Sequence, residues 1–173
     1  MLRKLFQMCW VVRNLHDAMP RFQATFDTGP FYTMENIVPD EIIYRGVPGE
    51  QRMHAAFAQS GDLQVELIQP LSTSPNVYDD SLPNGAEGFH HVCYWAPDLE
   101  LEKARFHALG AVAACEARAG DQIFGYFDTR HLTGSMTEVL QECEGTRAMF
   151  DAIRDAAKDW DGRDPIRSVN DLF

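Results

Sequence analysis

The stretch GFHHVCYWAPDL, residues 88–99, decides the fold of this chain. Its apolar and aromatic residues predict a buried strand that carries two adjacent histidines. Pro97 ends that strand, and Asp98 is a residue type that often caps the start of a helix. The stretch therefore predicts a unit in which a strand leads directly into a helix.

The same unit occurs near the start of the chain as LFQMCWVVRNL, residues 5–15. When the two stretches are aligned, Gln7 matches His91 and Cys9 matches Cys93. A strand-to-helix unit that is used twice indicates an internal duplication.

A second pair of segments supports the duplication, because VELIQ at residues 65–69 matches TEVLQ at residues 137–141. Each segment places one glutamate, Glu66 or Glu138, inside an apolar strand. A single glutamate in a strand usually lies on a solvated face, but two at matching positions are harder to explain in that way. If they are buried, each must be paired or bind a metal ion.

The elements between these segments also repeat, as strand, helix and three strands. The first module takes residues 1–71, a polar linker takes residues 72–87, and the second module takes residues 88–142. A C-terminal helix and tail take residues 143–173. We expect an α+β fold in which two βαβββ modules form a curved mixed sheet around a central cavity. Residues 38–50 are predicted to be a long loop, and the tail from Asp161 is predicted to be irregular.

The C-terminal helix is predicted from about Thr146, because its apolar residues recur at helical spacing. They are Met149, Phe150, Ile153, Ala157 and Trp160. The helix has no counterpart in the first module. We therefore expect it to pack outside the sheet or against a partner chain.

Composition narrows the possible partners and the location of the chain. The formal net charge of −11 argues against a nucleic-acid partner. No apolar run reaches the roughly 20 residues of a membrane-spanning helix, and no signal peptide is evident at the N-terminus. We expect a cytoplasmic protein that binds neither nucleic acid nor a membrane.

The two halves each supply one polar residue from a first strand and one from a last strand. An approximate twofold axis would bring Gln7, Glu66, His91 and Glu138 together on a curved sheet. One imidazole, two carboxylates and an amide oxygen suit a divalent metal ion. Their joint placement at duplicated positions favours a metal site over four unrelated structural residues.

Three neighbouring side chains complete this prediction. Cys9 and Cys93 share a strand face with Gln7 and His91, and we interpret them as small cavity-lining residues rather than ligands or a disulfide. His90 is predicted to point to the opposite face of the sheet.

A base for proton transfer is sought on the strand beside each glutamate. His54 precedes Glu66 by twelve positions, and Tyr126 precedes Glu138 by the same number, so the two are predicted to occupy equivalent places. His54 is a candidate proton shuttle near neutral pH, or else a surface or packing histidine. Tyr126 is interpreted as a packing residue.

Over residues 5–142 the chain resembles the vicinal oxygen chelate superfamily, which includes glyoxalase I, methylmalonyl-CoA epimerase, bleomycin-resistance proteins and extradiol dioxygenases. The segments VELIQPL, residues 65–71, and GFHHV, residues 88–92, look most like methylmalonyl-CoA epimerase. The set Gln7, Glu66, His91 and Glu138 is similar to the metal ligands of glyoxalase I enzymes that begin with a glutamine. Epimerases and dioxygenases usually have a histidine in place of Gln7.

The resemblance implies a metal-dependent lyase or isomerase that transfers a proton next to a carbonyl group. The ion, one of Zn, Ni, Co, Mn or Mg, would hold two substrate oxygens and stabilise an enediolate. Glu138, Glu66 or His54 would move the proton. The substrate is a small carbonyl compound, possibly a thioester. The family also implies a homodimer. A metal-free binding protein and an extradiol-type dioxygenase are the alternatives.

Overall fold

The computed structural model describes residues 3–73 and 75–172, and their strands form one mixed sheet. The strands are β1 (Leu5–Val11), β2 (Phe31–Ile37), β3 (Glu41–Tyr44), β4 (Val47–Pro48), β5 (Met53–Ser60), β6 (Leu63–Pro70), β7 (Gly88–Ala96), β8 (Ala113–Ala119), β9 (Gln122–Phe127), β10 (Met136–Gln141) and β11 (Ile166–Ser168). The helices are α1 (Leu15–Phe26), α2 (Leu99–Ala108), α3 (Arg130–Thr133) and α4 (Glu144–Ala156).

The order of strands in the sheet shows how the two halves meet. The order is β11-β2-β5-β6-β1-β7-β10-β9-β8-β3-β4. The first half contributes β2-β5-β6-β1, the second contributes β7-β10-β9-β8, and they join where β1 pairs antiparallel with β7. The predicted α+β class is confirmed. Because the sheet continues across this junction, the boundaries at residues 71, 88 and 143 stay predictions about the duplication.

The two longer helices of the repeated units begin at the predicted caps. The side chain of Asn14 accepts a hydrogen bond of 3.0 Å from the backbone N–H of Asp17. Asp98 accepts one of 3.1 Å from the backbone N–H of Leu101. Such bonds satisfy backbone donors that the first turn of a helix leaves free, and each strand leads into its helix through a connection of two or three residues.

Alternation along the strands separates the packing face from the site face. On β6, Val65 and Leu67 pack under α1, whereas Ile68 belongs to a second cluster on the inner face of the sheet. Glu66 lies between Val65 and Leu67 and therefore points to the inner face. Helix α2 covers the outer face of the second half through Leu99 and Phe106.

The loop predicted at residues 38–50 is wrong, because this segment forms the hairpin β3–β4. Its strand β3 adds to the second half by pairing antiparallel with β8, for example Ile42 with Ala117. The two connecting residues, Arg45 and Gly46, have φ values of 49° and 84°. A two-residue turn with positive φ at both positions suits the twist of a hairpin. The prolines and glycines of this segment conceal its short β-forming run.

The irregular tail is also a wrong prediction, since β11 pairs parallel with β2 at the edge of the sheet. Its three residues are too few to show an alternating pattern in the sequence.

Helix α4 packs on the inner side of the sheet of its own chain. Ile153 is fully buried, and Met149 and Phe150 pack against the main core. Trp160 follows the helix, and its ring lies close against Gly29. Because the apolar residues of the helix pack within their own chain, they no longer indicate a partner chain. The homodimer therefore stays a prediction that rests on the resemblance alone.

No helix within the described part of the chain has the length and apolar character needed to cross a membrane.

Candidate metal centre

Four buried polar side chains meet on the inner face of the sheet where the two halves join. They come from β1, β6, β7 and β10, and they are Gln7, Glu66, His91 and Glu138. The Nε2 atom of His91 lies 3.3 Å from Oε2 of Glu66 and 3.2 Å from Oε2 of Glu138. Gln7 lines the same cavity as the two glutamates. The structure therefore brings His91 and the two glutamates together and places Gln7 at the same cavity.

Strand register produces this cluster. Cys9 is the pairing partner of Glu66 on one side and of His91 on the other. Cys93 is likewise the partner of Gln7 and of Glu138. One row of paired residues therefore runs from Glu66 through Cys9 to His91, and the other runs from Glu138 through Cys93 to Gln7. The two rows run in opposite directions across the four strands, as an approximate twofold axis requires.

The thiol of Cys9 is a further donor that the sequence did not assign to the metal. Its sulfur lies within 4.8 Å of a carboxylate oxygen of Glu66 and a ring nitrogen of His91. Burial raises the pKa of the Cys9 and Cys93 thiols well above their ordinary range. In the chain without metal both are protonated small side chains at the floor of the cluster.

The donor set fits a divalent cation because its buried atoms are incompletely satisfied within the chain. Oε1 of Gln7 makes no hydrogen bond, and Oε2 of Glu66 and Nε2 of His91 meet as an ion pair 3.3 Å apart without a well-formed hydrogen bond. The amide nitrogen of Gln7 donates to Oε1 of Gln64 at 2.7 Å, which leaves its oxygen free. Unsatisfied buried polar atoms each cost about 1–3 kcal/mol. A cation that accepts electron pairs from all of these atoms would remove that cost.

The charges of the cluster lead to the same conclusion. Burial lowers the pKa of His91, but the Glu138 and Glu66 carboxylates outweigh this effect and raise the pKa to about 9. Burial raises the pKa of Glu66, and Glu138 adds to the rise while His91 opposes it. A proton on His91 thus partly neutralises two carboxylates that a divalent cation would neutralise fully.

The predicted orientation of His90 is wrong, because a β-bulge interrupts the alternation of β7. Cys9 pairs with His91 and Trp10 pairs with Phe89, so His90 is the extra residue. Its ring lies beside that of His91, with the two Nδ1 atoms 2.9 Å apart. Bulges change the direction of a side chain without a clear sequence signal. Burial and the neighbouring His91 lower the pKa of His90 to about 3, so this ring is neutral.

The predicted equivalence of His54 and Tyr126 is also wrong. Glu66 pairs with Phe57, whereas Glu138 pairs with Tyr126, so Phe57 is the counterpart of Tyr126. A two-residue turn joins β5 to β6, but residues 128–135 separate β9 from β10. Equal spacing in sequence therefore gives unequal positions in the sheet.

His54 lies away from the cluster. Its neighbours on β5, Met53 and Ala55, line the cavity, and the side chain of His54 points to the other face of the strand. Its Nδ1 accepts a hydrogen bond of 3.0 Å from the backbone N–H of Asn36. The structure thus favours the packing interpretation of His54, and we do not retain it as a base.

A cavity of about 190 Å³ lies against the cluster. Its walls are mainly apolar and include Met34, Met53, Phe57, Phe124, Leu140 and Phe150. Among the described residues that line it, none is a lysine, arginine or histidine. Tyr126 adds a phenol whose pKa burial raises well above its ordinary range, so its hydroxyl remains a hydrogen-bond donor.

The linker contributes to the site in a way that the sequence analysis missed. Val77 and Tyr78 are almost fully buried, and the carbonyl of Val77 lies 3.2 Å from Nε2 of His90. The ring of Tyr78 packs edge-on against His90, with centroids 5.1 Å apart. The only signal was this apolar and aromatic pair within an otherwise polar segment.

Comparison with known proteins identifies the family. The model of the Glyoxalase/Bleomycin resistance protein/Dioxygenase superfamily matches residues 6–127, and the chain belongs to that family. The predicted resemblance is confirmed. The uncharacterized protein YqjC of Bacillus subtilis (strain 168) is 31% identical over 68 residues. That match covers 39% of this chain and less than half, 46%, of YqjC.

Solved structures share the fold at low sequence identity. Methylmalonyl-CoA epimerase from Mycobacterium tuberculosis is 17% identical, with a TM-score of 0.56 over 83% of this chain and 91% of that chain. A hypothetical protein from Bacillus halodurans C-125 is 16% identical, with a TM-score of 0.57 over 83% and 97%. The Streptomyces coelicolor methylmalonyl-CoA epimerase, in complex with 2-nitronate-propionyl-CoA, is 18% identical, with a TM-score of 0.55 over 83% and 99%.

Proposed function

We propose that this chain is a metal-dependent isomerase or lyase that moves a proton on a carbon next to a carbonyl group. The observation that carries the proposal is a buried cluster beside an apolar cavity, in which one imidazole lies within 3.3 Å of two carboxylates and the amide oxygen of Gln7 has no hydrogen bond. A buried cluster with a purely structural role would hydrogen-bond its own polar atoms, since unpaired buried polar atoms lower the stability of the fold. Membership of a superfamily with glyoxalase and dioxygenase members supports the proposal.

Gln7, Glu66, His91 and Glu138 would hold the cation. As a Lewis acid it would polarise the carbonyl oxygen and make the neighbouring C–H more acidic. His91 lies within 3.3 Å of both carboxylates and Gln7 lines the same cavity, which supports these four residues as ligands.

The glutamates are also the candidate proton carriers. Both line the cavity, and the buried position of Glu66 raises its pKa, which makes its carboxylate a stronger base. Tyr126 lines the same cavity, and its hydroxyl is a candidate hydrogen-bond donor to a substrate oxygen. The apolar walls exclude water and so keep an abstracted proton within the site.

The cavity supports one class of substrate. With about 190 Å³ and apolar walls, it suits a small carbonyl compound with an uncharged apolar substituent. A thioester would place its acyl part in the cavity and the rest of the molecule outside it.

Solvent exchange tests this proposal without knowledge of the natural substrate. The protein, loaded with Zn²⁺, Ni²⁺, Co²⁺, Mn²⁺ or Mg²⁺, is incubated in D₂O with racemic 2-methylacyl thioesters and with adducts of thiols and 2-oxoaldehydes. We expect NMR to show deuterium entering next to the carbonyl, and we expect Glu138→Gln to abolish it. Glu66→Gln gives the second test of the same kind.

His54→Ala serves as the matched control, because His54 lies on the other face of β5 and should not affect exchange. Exchange at the buffer rate for every ion and probe would contradict the proposal.

A metal-free binding protein is the second candidate, and the apolar lining of the cavity favours it. In that case the protein would bind an apolar ligand equally well with and without a chelator. Binding that is lost with the chelator supports the enzyme instead.

A further inference from the structure

A chain of hydrogen bonds connects the linker to the metal cluster. The backbone carbonyl oxygen of Val77 lies 3.2 Å from Nε2 of His90. Nδ1 of His90 lies 2.9 Å from Nδ1 of His91. Both rings are fully buried, so solvent cannot substitute for either contact.

The chemistry of these groups fixes where the protons lie. A carbonyl oxygen only accepts hydrogen bonds, so Nε2 of His90 must carry the proton. In a neutral ring Nδ1 is then an acceptor, and Nδ1 of His91 must donate to it. When His91 is neutral, its Nε2 therefore carries a lone pair directed at Glu66 and Glu138.

Without this chain the carboxylates would select the other tautomer of His91. Glu66 and Glu138 lie 3.3 and 3.2 Å from Nε2 and would accept a hydrogen bond from an Nε2–H group. A ring with its proton on Nε2 has no electron pair there for a cation. The two carboxylates thus favour the tautomer of His91 that cannot bind a metal ion. The hydrogen bond to His90 favours the tautomer that can.

We propose that His90, anchored by the carbonyl of Val77, is a positioning residue that holds His91 in its metal-binding tautomer. The proposal rests on the proposed function, since it concerns the same metal site. It also assigns a role to the linker, because the carbonyl of Val77 accepts the first hydrogen bond of the series. Other metal sites use a similar hydrogen bond to orient a ligating histidine, usually to a carboxylate, a carbonyl or water.

The structure holds this part of the linker in place. The side-chain oxygen of Asn76 accepts a hydrogen bond of 2.9 Å from the backbone N–H of Tyr78, which closes a turn around Val77. Asp80 accepts hydrogen bonds from Tyr44 and Arg45 at 2.9 and 2.7 Å. The carbonyl of Val77 is therefore fixed from both sides.

Two substitutions at one position separate hydrogen bonding from packing. His90→Leu fills much of the same space but has no acceptor for His91. His90→Gln can donate to Val77 through its amide N–H and accept from His91 through its amide oxygen. His54→Leu is the matched control, because it makes the same change at a histidine that lies on the other face of β5 and bonds to Asn36 instead.

Affinity for Zn²⁺ and Co²⁺ is measured on metal-free protein by competition with a coloured chelator. We expect binding to weaken about 10–100-fold in His90→Leu, the usual effect of losing such a partner. His90→Gln should recover most of this loss, and His54→Leu should match the wild type. Circular dichroism checks that each variant is folded.

Nitrogen NMR of histidine-labelled protein reads the tautomers directly. Without metal at pH 7.5, His90 should carry its proton on Nε2 and leave Nδ1 bare. With Zn²⁺, His91 should carry its proton on Nδ1.

A proton on Nδ1 of His90, or equal losses in folded His90→Leu and His90→Gln, would overturn the role of His90. So would unchanged affinity in His90→Leu. A wild-type protein with no affinity for any divalent ion would instead overturn the proposed function.

Discussion

Replacing His91 by glutamine should remove a specific dependence of stability on pH. In the chain without metal, the Glu138 and Glu66 carboxylates raise the pKa of His91 to about 9 against the opposing effect of burial. In the unfolded chain a histidine has a pKa of about 6.5. The folded state therefore binds a proton more tightly than the unfolded state does.

The sign and size of the effect follow from this difference. A group whose pKa is raised by folding stabilises the protein fully below its unfolded pKa, and this contribution is lost as the pH rises through the folded pKa. The difference of about 2.5 pKa units corresponds to about 3 kcal/mol, at about 1.4 kcal/mol for each unit. The raised pKa of Glu66 acts in the same direction at lower pH.

Urea unfolding in the presence of a chelator, at pH 6.0 and pH 9.5, measures this loss. The wild type should lose about 3 kcal/mol more than His91→Gln between these two pH values. The thiols titrate in the unfolded state of both proteins, so their contribution cancels in the comparison. Equal losses in the two proteins would refute the assignment of a shared proton to His91 and the two carboxylates.

Three further predictions concern other parts of the account. Gln7→Ala should weaken metal binding less than His91→Ala, because a neutral amide oxygen is a poorer ligand for Zn²⁺ than imidazole is, and calorimetric titration that ranks them in the opposite order would be evidence against this site. Ile153→Ala should cost about 2–5 kcal/mol in urea unfolding, since Ile153 is the fully buried residue by which α4 packs on the core, and a cost below about 1 kcal/mol would show that α4 is not docked. Asn14→Ala should cost about 1 kcal/mol by loss of the cap of α1, whereas thermal unfolding of Asn14→Asp should match the wild type.

The duplicated stretches predict the overall fold because alternation and capping act within a few residues. The side chains of Asn14 and Asp98 accept hydrogen bonds from backbone N–H groups only three residues further along the chain, so a sequence shows these caps directly. The duplication also locates the four candidate ligands, since matching positions in two copies meet across a twofold axis. The metal that they would bind stays a prediction.

The wrong predictions concern residues whose position depends on a partner that is distant in the sequence. The direction of His90 depends on a bulge against β1, and the place of His54 depends on the length of a turn in the other half. The hairpin at residues 38–50 forms because β8 offers an edge to it. Neither a bulge nor a free edge leaves a periodic pattern in the sequence.

Metal content tests the central claim most directly. Wild-type protein, His91→Ala and His54→Ala are purified without chelator and analysed by plasma mass spectrometry, with circular dichroism as a check of folding. We expect about one divalent ion per chain in the wild type and in His54→Ala, and almost none in His91→Ala, which lacks a ligand. A wild type without a bound ion, or a folded His91→Ala that keeps its full metal content, would contradict the metal centre described here.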